Sequence, residues 1–191
     1  MSLKKKSVLR DWIESIIVAF LLAMVIRAFV VQAFKIPTGS MRMTLVEGDL
    51  ILVNKFIYGA HIPFTKNFLP ALRQPKRGDI IVFIYPEDKK KDFIKRLVGL
   101  PGETVEIKGG SIYINDRPAT EPIFKQTYYY NRGEFASEGQ KIVVPRNSYF
   151  VLGDNSVSSK DSRYWGFVHK NNLLGKALII YWPPQRIRII K

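Results

Sequence analysis

The sequence predicts a mainly β protein: an antiparallel, coiled or barrel-like β domain that follows one N-terminal transmembrane helix. Two observations support this fold class. One long apolar stretch lies near the start of the chain, and no other segment with helical periodicity is as long. After residue 35 the pattern changes to short runs of β-favouring residues separated by turn residues.

The helix is predicted over residues 12–34, as a membrane anchor. Within it, Ile16–Ile26 is uninterrupted apolar sequence. With Trp12 and Phe34 as interfacial ends, and with the Arg27 side chain reaching outward, about 20 residues are available to cross a bilayer.

Basic residues predict the orientation of this anchor. Four of them precede the apolar run: Lys4, Lys5, Lys6 and Arg10. By the positive-inside rule we expect a cytoplasmic tail over residues 1–11 and an extracytoplasmic domain over residues 35–191.

Two alternatives stay open for the same stretch. A cleavable signal peptide would also be apolar, and Val31–Ala33 resembles a cleavage site. A helix buried inside a soluble domain would show a similar run. The length of the stretch, the charge of Arg27 within it and the absence of a flexible start after it favour an uncleaved anchor.

Eight runs after residue 35 are predicted as strands. They are 49–54, 79–85, 93–100, 104–108, 111–115, 141–145, 148–153 and 176–182. Gly109–Gly110, between two alternating runs, indicates a tight hairpin. Residues 116–140 are expected to form an inserted surface excursion, and the sequence contains no internal repeat and no linker to a second domain.

Composition restricts the chemistry that the chain can perform. It has 30 basic against 16 acidic residues in 191, a net charge of +14, so an acidic neighbour such as nucleic acid or anionic lipid is expected. The absence of cysteine excludes disulfides, Cys-ligated zinc and a thiol nucleophile. His61 and His169 are far apart in sequence, so we expect no metal site and no cofactor.

Ser40 closes the turn sequence Pro37–Ser40, just outside the predicted anchor. Gly39 lets the backbone approach a substrate closely, and Thr38 offers a second hydroxyl group. A serine nucleophile needs a base, and because histidine is scarce, lysine is the candidate. Serine is also a common turn residue, and this segment alone leaves that simpler role open.

Lys95 lies beside Arg96 in the predicted strand 93–100. Because side chains alternate between the faces of a strand, one of these two cations must point inward. An arginine stays charged and needs a carboxylate, whereas desolvation favours loss of the proton from a lysine among apolar neighbours. Such a lysine is a candidate general base, although the strand pattern equally fits an ordinary exposed lysine.

The stretch GDNSVSSKDSRYWGFV, residues 153–168, is rich in polar groups ahead of an aromatic pair. Its polar residues include Asp154, Asn155, Ser159, Asp161, Ser162 and Arg163. The stretch is either a polar loop with Asx turns or a network that orients a base and forms a pocket wall.

Together, five stretches resemble bacterial type I signal peptidase (leader peptidase). In chain order they are IPTGSM, GDLILVNKFIYG, RGDIIVF, FIKRLVGLPGE and the stretch over residues 153–168. The resemblance covers most of the chain, including the predicted anchor and the β domain. Five matches in the correct order on one chain are highly specific.

The resemblance implies a role for each candidate residue. Ser40 stands at the position of the nucleophile and Lys95 at that of the general base. The Thr38 hydroxyl and the backbone N–H of Ser40 would form the oxyanion hole, and Ser159 would hydrogen-bond and orient the lysine. Two supporting ion pairs are also implied: Asp161 with Arg163, and Asp154 with Arg96.

The activity implied is that of a membrane-anchored serine endopeptidase, which removes signal peptides from exported preproteins through an acyl-enzyme. The substrate would add as an extended strand, with small side chains at the −1 and −3 sites in shallow pockets. The implied partners are signal peptides and membrane lipid, not nucleic acid, and a monomer is expected. The implied location is the cytoplasmic membrane, with a single pass and the N-terminus inside.

Two segments depart from the family pattern. Arg42-Met43 stand where the family commonly has a proline before Thr-Leu, so we expect a looser loop near the nucleophile. Ser156-Val157 replace a commonly charged pair, so we expect the loss of surface ion pairs.

Three other functions remain. Self-cleaving repressors use Ser and Lys on a related β domain, but they are soluble and carry a DNA-binding head. A basic, membrane-tethered binding module would use the net charge, yet only residues 4–6 and 89–91 form basic clusters, without a nucleic-acid motif. A pseudo-enzyme inactivated at residues 42–43 is the third possibility.

Overall fold

The structure is a computed structural model that describes residues 8–60, 62, 65 and 67–190. Most of the predicted cytoplasmic tail, with Lys4–Lys6, therefore lies outside the described residues, as does His61.

Helix α1 spans Val8–Phe29, and strand β1 follows at Val31–Lys35. The prediction of one anchor over residues 12–34 is therefore wrong at its end. The chain leaves the helix because β1 pairs antiparallel with the next strand, from Val31 opposite Asn54 to Lys35 opposite Leu50. Pairing satisfies the backbone groups that the helix would otherwise satisfy.

The apolar side chains of α1 are largely exposed, and they lie on every face of the helix, since Ile16, Ile17 and Val18 are all more than half exposed. In the described part of the chain, no helix combines the length and the apolar character needed to cross a membrane.

Among the described residues, eleven further strands and two short helices follow β1. The strands are β2 (Leu50–Asn54), β3 (Ile80–Ile84), β4 (Asp92–Gly99), β5 (Thr104–Lys108), β6 (Ser111–Ile114), β7 (Arg117–Pro118), β8 (Ile142–Val143), β9 (Ser148–Leu152), β10 (Val168–His169), β11 (Leu173–Trp182) and β12 (Arg188–Ile189). The helices are α2 (Pro122–Gln126) and α3 (Ser162–Trp165). Each of the eight predicted runs contains a strand. Strand β1, inside the predicted anchor, and the two-residue strands β7, β10 and β12 were not predicted.

The larger sheet has the strand order β1-β2-β11-β3-β4-β9-β10, and β12 pairs with β11. Every pairing in it is antiparallel. Its apolar residues form two clusters, one around Ile51 and Ile180 and the other around Phe83 and Leu97. These clusters hold the middle strands of the sheet, including β4, in fixed register.

The smaller sheet has the order β7-β6-β5-β8. The predicted hairpin at Gly109–Gly110 is confirmed, because Lys108 pairs with Ser111 across it. Both glycines have positive φ, +54° and +77°, which glycine adopts without a steric penalty. A Cβ atom at Gly110 would also overlap the ring of Tyr128.

The expectation of a barrel-like domain is wrong. Among the described residues the strands form two separate sheets, and neither closes on itself: β1 and β10 are opposite edges of the larger sheet. The domain is therefore mainly antiparallel β, as predicted, but open at both edges.

The predicted surface excursion, residues 116–140, is partly a core element. Phe124, Tyr129 and Ala136 are buried in the cluster that lies under the smaller sheet. This burial could not be predicted from a local pattern, because the aromatic residues here lack strand alternation.

Candidate active site

Three segments converge on one cleft. They are a one-turn 3-10 helix, Gly39–Met41, after β1, the first half of β4, and the loop between β9 and α3. The loop holds the turn through Asn155, whose backbone N–H donates to the Ser40 carbonyl at 3.0 Å and whose side-chain amide donates to the Gly39 carbonyl at 3.0 Å. The buried Met41 side chain fixes the same turn from the core side.

Ser40 and Lys95 meet in this cleft, although 55 positions separate them in the chain. The Lys95 Nζ lies 2.7 Å from Ser40 Oγ and 2.8 Å from the Ile94 carbonyl oxygen. Ser40 is only 8% exposed and Lys95 only 4%. The amine is therefore shielded from water and within direct proton-transfer distance of the hydroxyl.

Burial lowers the pKa of Lys95 from 10.5 to about 8, and the carboxylates of Asp161 and Asp154 oppose this decrease. Each carboxylate already faces an arginine, which limits its effect on the lysine. A lysine with a pKa near 8 is substantially neutral at mildly alkaline pH, as a general base must be.

Arg96 points to the other side of β4, where it forms a buried ion pair with Asp154. Its Nε and Nη2 donate to the two carboxylate oxygens at 2.8 and 2.7 Å, and its Nη1 donates to the Gly78 carbonyl at 2.6 Å. Thr44 joins this pair: its hydroxyl donates to Asp154 at 2.6 Å and accepts from Arg96 at 3.1 Å. Thr44 thereby connects the segment after Ser40 to the ion pair.

Thr44 was not among the predicted site residues. The available signal was the Thr-Leu pair of the family pattern, which this chain keeps after Arg42-Met43.

The second predicted pair, Asp161 with Arg163, is also fully buried. Arg163 Nε and Nη2 donate to the carboxylate at 2.8 and 2.9 Å, and the Gly153 N–H donates to it at 3.0 Å. Ser156 belongs to this network, since its hydroxyl accepts from Arg163 at 2.9 Å and it is 3% exposed. The view of Ser156 as a surface position is therefore wrong, whereas Val157 is exposed.

Ser159 is buried behind the reactive pair. A Cβ atom at Gly153 would overlap both Ser159 Oγ and the Ser40 carbonyl, so this close approach requires glycine. In the described part of the chain Ser159 Oγ has no hydrogen-bond partner. The expected bond to Lys95 is not formed, because the amine is directed at Ser40 Oγ and the Ile94 carbonyl.

The cleft has a volume of about 270 Å³. Thr38 is exposed and lines this cleft. The remaining lining residues are Pro37, Ser40, Asp92, Phe93, Ile94, Lys95, Ser158 and Lys160. No group of three or more His, Asp or Glu side chains that could hold a metal ion occurs among the residues described.

The segment Arg42-Met43 takes a conformation that the usual proline could not. Met43 has φ +94°, whereas a proline ring fixes φ near −65°. Arg42 pairs with Glu47, with Nη2 2.5 Å from a carboxylate oxygen, on the surface of the same loop. The Met43 sulfur also accepts a weak hydrogen bond from Thr127 at 3.6 Å.

Comparison with known proteins gives consistent results. The family described as "Signal peptidase, peptidase S26" matches residues 9–182. Signal peptidase I of Leptolyngbya laminosa is 39% identical over 191 residues, which cover 96% of this chain and 85% of that protein. Signal peptidase I P of Bacillus subtilis subsp. natto is 33% identical over 192 residues, which cover 98% of this chain and 97% of that protein. The chain was also compared with a crystal structure of a signal peptidase I from Enterococcus faecalis V583. The sequences are 36% identical, the TM-score is 0.43, and the match covers 55% of this chain and 97% of that one.

Proposed function

We propose that this chain, which belongs to the signal peptidase family, peptidase S26, removes signal peptides from preproteins with Ser40 as nucleophile and Lys95 as general base. The observation that carries the residue assignment is the 2.7 Å contact between the lysine amine and the serine hydroxyl inside a buried cleft. An ordinary turn serine and an exposed lysine would not meet in this way.

In the acylation step, neutral Lys95 accepts the Ser40 proton while Oγ attacks the scissile carbonyl carbon. The protonated lysine then donates that proton to the leaving nitrogen, and the C–N bond breaks. The part of the preprotein after the cleaved bond is released with a free amino terminus, and the signal peptide remains as an ester on Ser40. One lysine serves both transfers because its amine lies next to the reacting oxygen.

Negative charge develops on the carbonyl oxygen during this attack. The Ser40 N–H and the Thr38 hydroxyl are the donors that we assign to this oxygen, and such a donor is typically worth about 3 kcal/mol. In deacylation neutral Lys95 accepts a proton from a water molecule as it attacks the ester carbonyl. The bond between this carbon and Ser40 Oγ then breaks, the lysine returns the proton to Oγ, and the signal peptide leaves with a free carboxyl terminus.

Ser159 and the two ion pairs are assigned supporting roles. Asp161 with Arg163 holds the loop that carries Gly153 and Asn155, and Asp154 with Arg96 holds the segment that follows Ser40. Ser159 Oγ is buried and has no hydrogen-bond partner among the described residues. It is available to the lysine once Ser40 is acylated and its Oγ no longer binds the amine.

We further propose that α1 attaches the enzyme to the cytoplasmic membrane, with the catalytic domain on the extracytoplasmic face. Support comes from the exposed apolar side chains of α1, which lipid would cover, and from the basic residues that precede it. Attachment would keep the cleft where signal peptides emerge and so raise their local concentration.

Labelling of intact cells tests this orientation, because the chain has no cysteine of its own. A single exposed cysteine introduced by Glu138→Cys should react with a membrane-impermeant maleimide. Alkaline extraction should leave the protein in the membrane pellet. Release of the full chain by alkali, or protection of the introduced cysteine, would contradict the proposed attachment or orientation.

Cleavage of a preprotein by the detergent-solubilised full chain tests the catalytic assignment. Ser40→Ala and Lys95→Ala should each abolish cleavage while the protein keeps a cooperative thermal transition. Matched controls are Ser111→Ala and Lys108→Ala. These two positions are exposed and pair with each other at the β5–β6 hairpin of the smaller sheet. Retained cleavage by either active-site variant would refute its assigned role.

A further inference from the structure

Asn155 contacts the nucleophile turn from outside the catalytic cleft. Its side-chain amide donates to the Gly39 carbonyl at 3.0 Å, although 116 positions separate the two residues. Its backbone N–H donates to the Ser40 carbonyl at 3.0 Å. Among the described residues Asn155 does not line the cleft that holds Ser40, and it lines a separate pocket with Arg42 and Ser156.

The carbonyl that accepts the Asn155 amide belongs to the same peptide unit as the Ser40 N–H. This Gly39–Ser40 bond is trans. A trans peptide unit is planar, so its C=O and N–H groups point in opposite directions. Because the carbonyl is directed at Asn155, the Ser40 N–H points away from the asparagine.

The Ser40 N–H has no acceptor of its own among the described residues. It lies in the one-turn 3-10 helix Gly39–Met41, where the first backbone N–H groups lack partners within the helix. Its peptide unit is fixed from the carbonyl side instead, since the Gly39 oxygen also accepts the Arg42 N–H at 3.1 Å. A preorganised oxyanion hole requires such a donor, which is free but held in a fixed peptide unit.

We propose that Asn155 is a positioning residue, which aims and polarises the Ser40 N–H toward the oxyanion of the transition state. Its amide fixes the plane of the Gly39–Ser40 peptide unit, and linked hydrogen bonds polarise one another, so the N–H of this unit becomes a stronger donor. The effect grows as negative charge develops on the substrate oxygen, and it therefore lowers the barrier more than it stabilises bound substrate. This inference rests on the proposed function, since it concerns one of the two donors assigned to that oxygen.

Kinetics of preprotein cleavage by the detergent-solubilised full chain test this role. Asn155→Ala removes the side-chain amide and keeps the backbone bond to Ser40. It should lower kcat about tenfold or more and leave KM within about twofold, because a donor used in the transition state is weakened. The pH dependence should keep its midpoint near 8, since the Lys95 amine bonds to Ser40 and Ile94 and not to Asn155.

Asn131→Ala is the matched control. The Asn131 amide also holds backbone carbonyls, those of Ile107 and Ala136 at 2.8 and 3.1 Å, but away from the residues that line the cleft. This variant should lower the melting temperature and keep the kcat of the folded protein. Asn155→Asp is a second variant at the site, which keeps the size of the side chain but replaces the donating amide with a carboxylate. On the alkaline plateau of its own pH profile, its kcat should fall at least as far as that of Asn155→Ala.

An inhibitor that forms a tetrahedral adduct separates this role from a merely structural one. The probe is a signal-peptide fragment with a boronic acid in place of the scissile carbonyl. The bond between Ser40 Oγ and boron forms as the serine proton passes to Lys95, which leaves an anionic boronate beside the Ser40 N–H. Asn155→Ala should raise the inhibition constant of this boronic acid about tenfold. It should not change that of the same fragment with a terminal hydroxymethyl group, which forms no adduct.

Three results would overturn the inference: wild-type kcat in both Asn155 variants, an unchanged inhibition constant for the boronic acid, or a shifted pH midpoint in Asn155→Ala. In each case cleavage by the wild-type protein leaves the peptidase assignment intact. If the wild-type protein neither cleaves a preprotein nor binds the boronic acid, the proposed function itself fails.

Discussion

Lys95 and Arg96 are adjacent cations on one strand, and both are almost completely buried, at 4% and 2% exposure. Arg96 meets the carboxylate of Asp154 in a two-point ion pair. Lys95 instead donates to a hydroxyl and a carbonyl oxygen, and no carboxylate pairs with it among the described residues. Strand β4 thus buries a cation with a carboxylate partner on one face and a cation without such a partner on the other.

The difference explains why one of these adjacent cations is structural and the other is reactive. Burying a charge is tolerable when a partner of opposite charge is present, and a guanidinium remains charged and holds that partner bidentately. A buried ammonium without such a partner instead releases its proton at lower pH. Arg96 therefore stabilises the site in its charged form, whereas Lys95 becomes reactive in its neutral form.

The comparison fails most clearly if an arginine can replace the lysine. Lys95→Arg should reduce preprotein cleavage by about 10³-fold or more, because arginine keeps its proton and cannot act as the base. The measurement is kcat/KM on a preprotein, with Lys108→Arg as control. Activity within tenfold of the wild type would mean that Lys95 is not the base.

The arginine side of the comparison is tested by removing its partner charge. Asp154→Asn should destabilise the fold by about 3–5 kcal/mol, because Arg96 would remain buried without a counter-charge. Urea denaturation of the detergent-solubilised chain measures this. Asp116→Asn, in an exposed ion pair, is the control and should have little effect. A loss below 1 kcal/mol for Asp154→Asn would indicate that the pair is not needed to hold the site.

The lysine side predicts the opposite sign. The pKa of Lys95 is lower in the folded state, about 8, than its ordinary 10.5, so below pH 8 the folded protein carries the cost of burying a charged ammonium group. Lys95→Met should therefore increase the free energy of unfolding by up to about 3 kcal/mol at pH 7. The gain should decrease between pH 8 and 10.5, where the wild-type protein regains this stability. A Lys95→Met protein that is less stable than the wild type at pH 7 would show that burial of the Lys95 amine does not destabilise the folded state.

The smallest effect is expected where a cation and an acid pair at the surface. Arg42 and Glu47 form a short ion pair on the loop after the nucleophile, but both are exposed to solvent. Glu47→Gln should leave both the melting temperature and kcat/KM unchanged within error, because water screens the pair. A marked loss of activity would instead assign this pair a role in positioning Ser40.

Much of the site could be predicted from the sequence because its residues lie in short, recognisable stretches. Ser40, Lys95 and both ion pairs were predicted through the family resemblance, and the structure brings them together. Strand alternation alone indicated that Lys95 and Arg96 face opposite ways. It did not indicate that Lys95 faces a serine 55 positions earlier, since no local pattern encodes so distant a contact.

Other features could not be predicted from local patterns. Strand β1 continues an apolar run, and hydropathy does not distinguish the end of a helix from a buried strand. The separation into two open sheets depends on long-range pairing, such as β11 between β2 and β3. The roles of Thr44 and Ser156 depend on partners from other segments, so their small hydroxyl side chains carried little signal by themselves.

The charge state of Lys95 is the central claim, and it is directly measurable. NMR titration of the full chain in micelles, with lysine labelled with ¹³C at Cε and the Lys95 signal assigned by its loss in Lys95→Met, gives the pKa of that amine. We expect a midpoint near 8. A midpoint at the ordinary lysine value of 10.5 would mean that the amine is a solvated cation, and Lys95 could not then be the base.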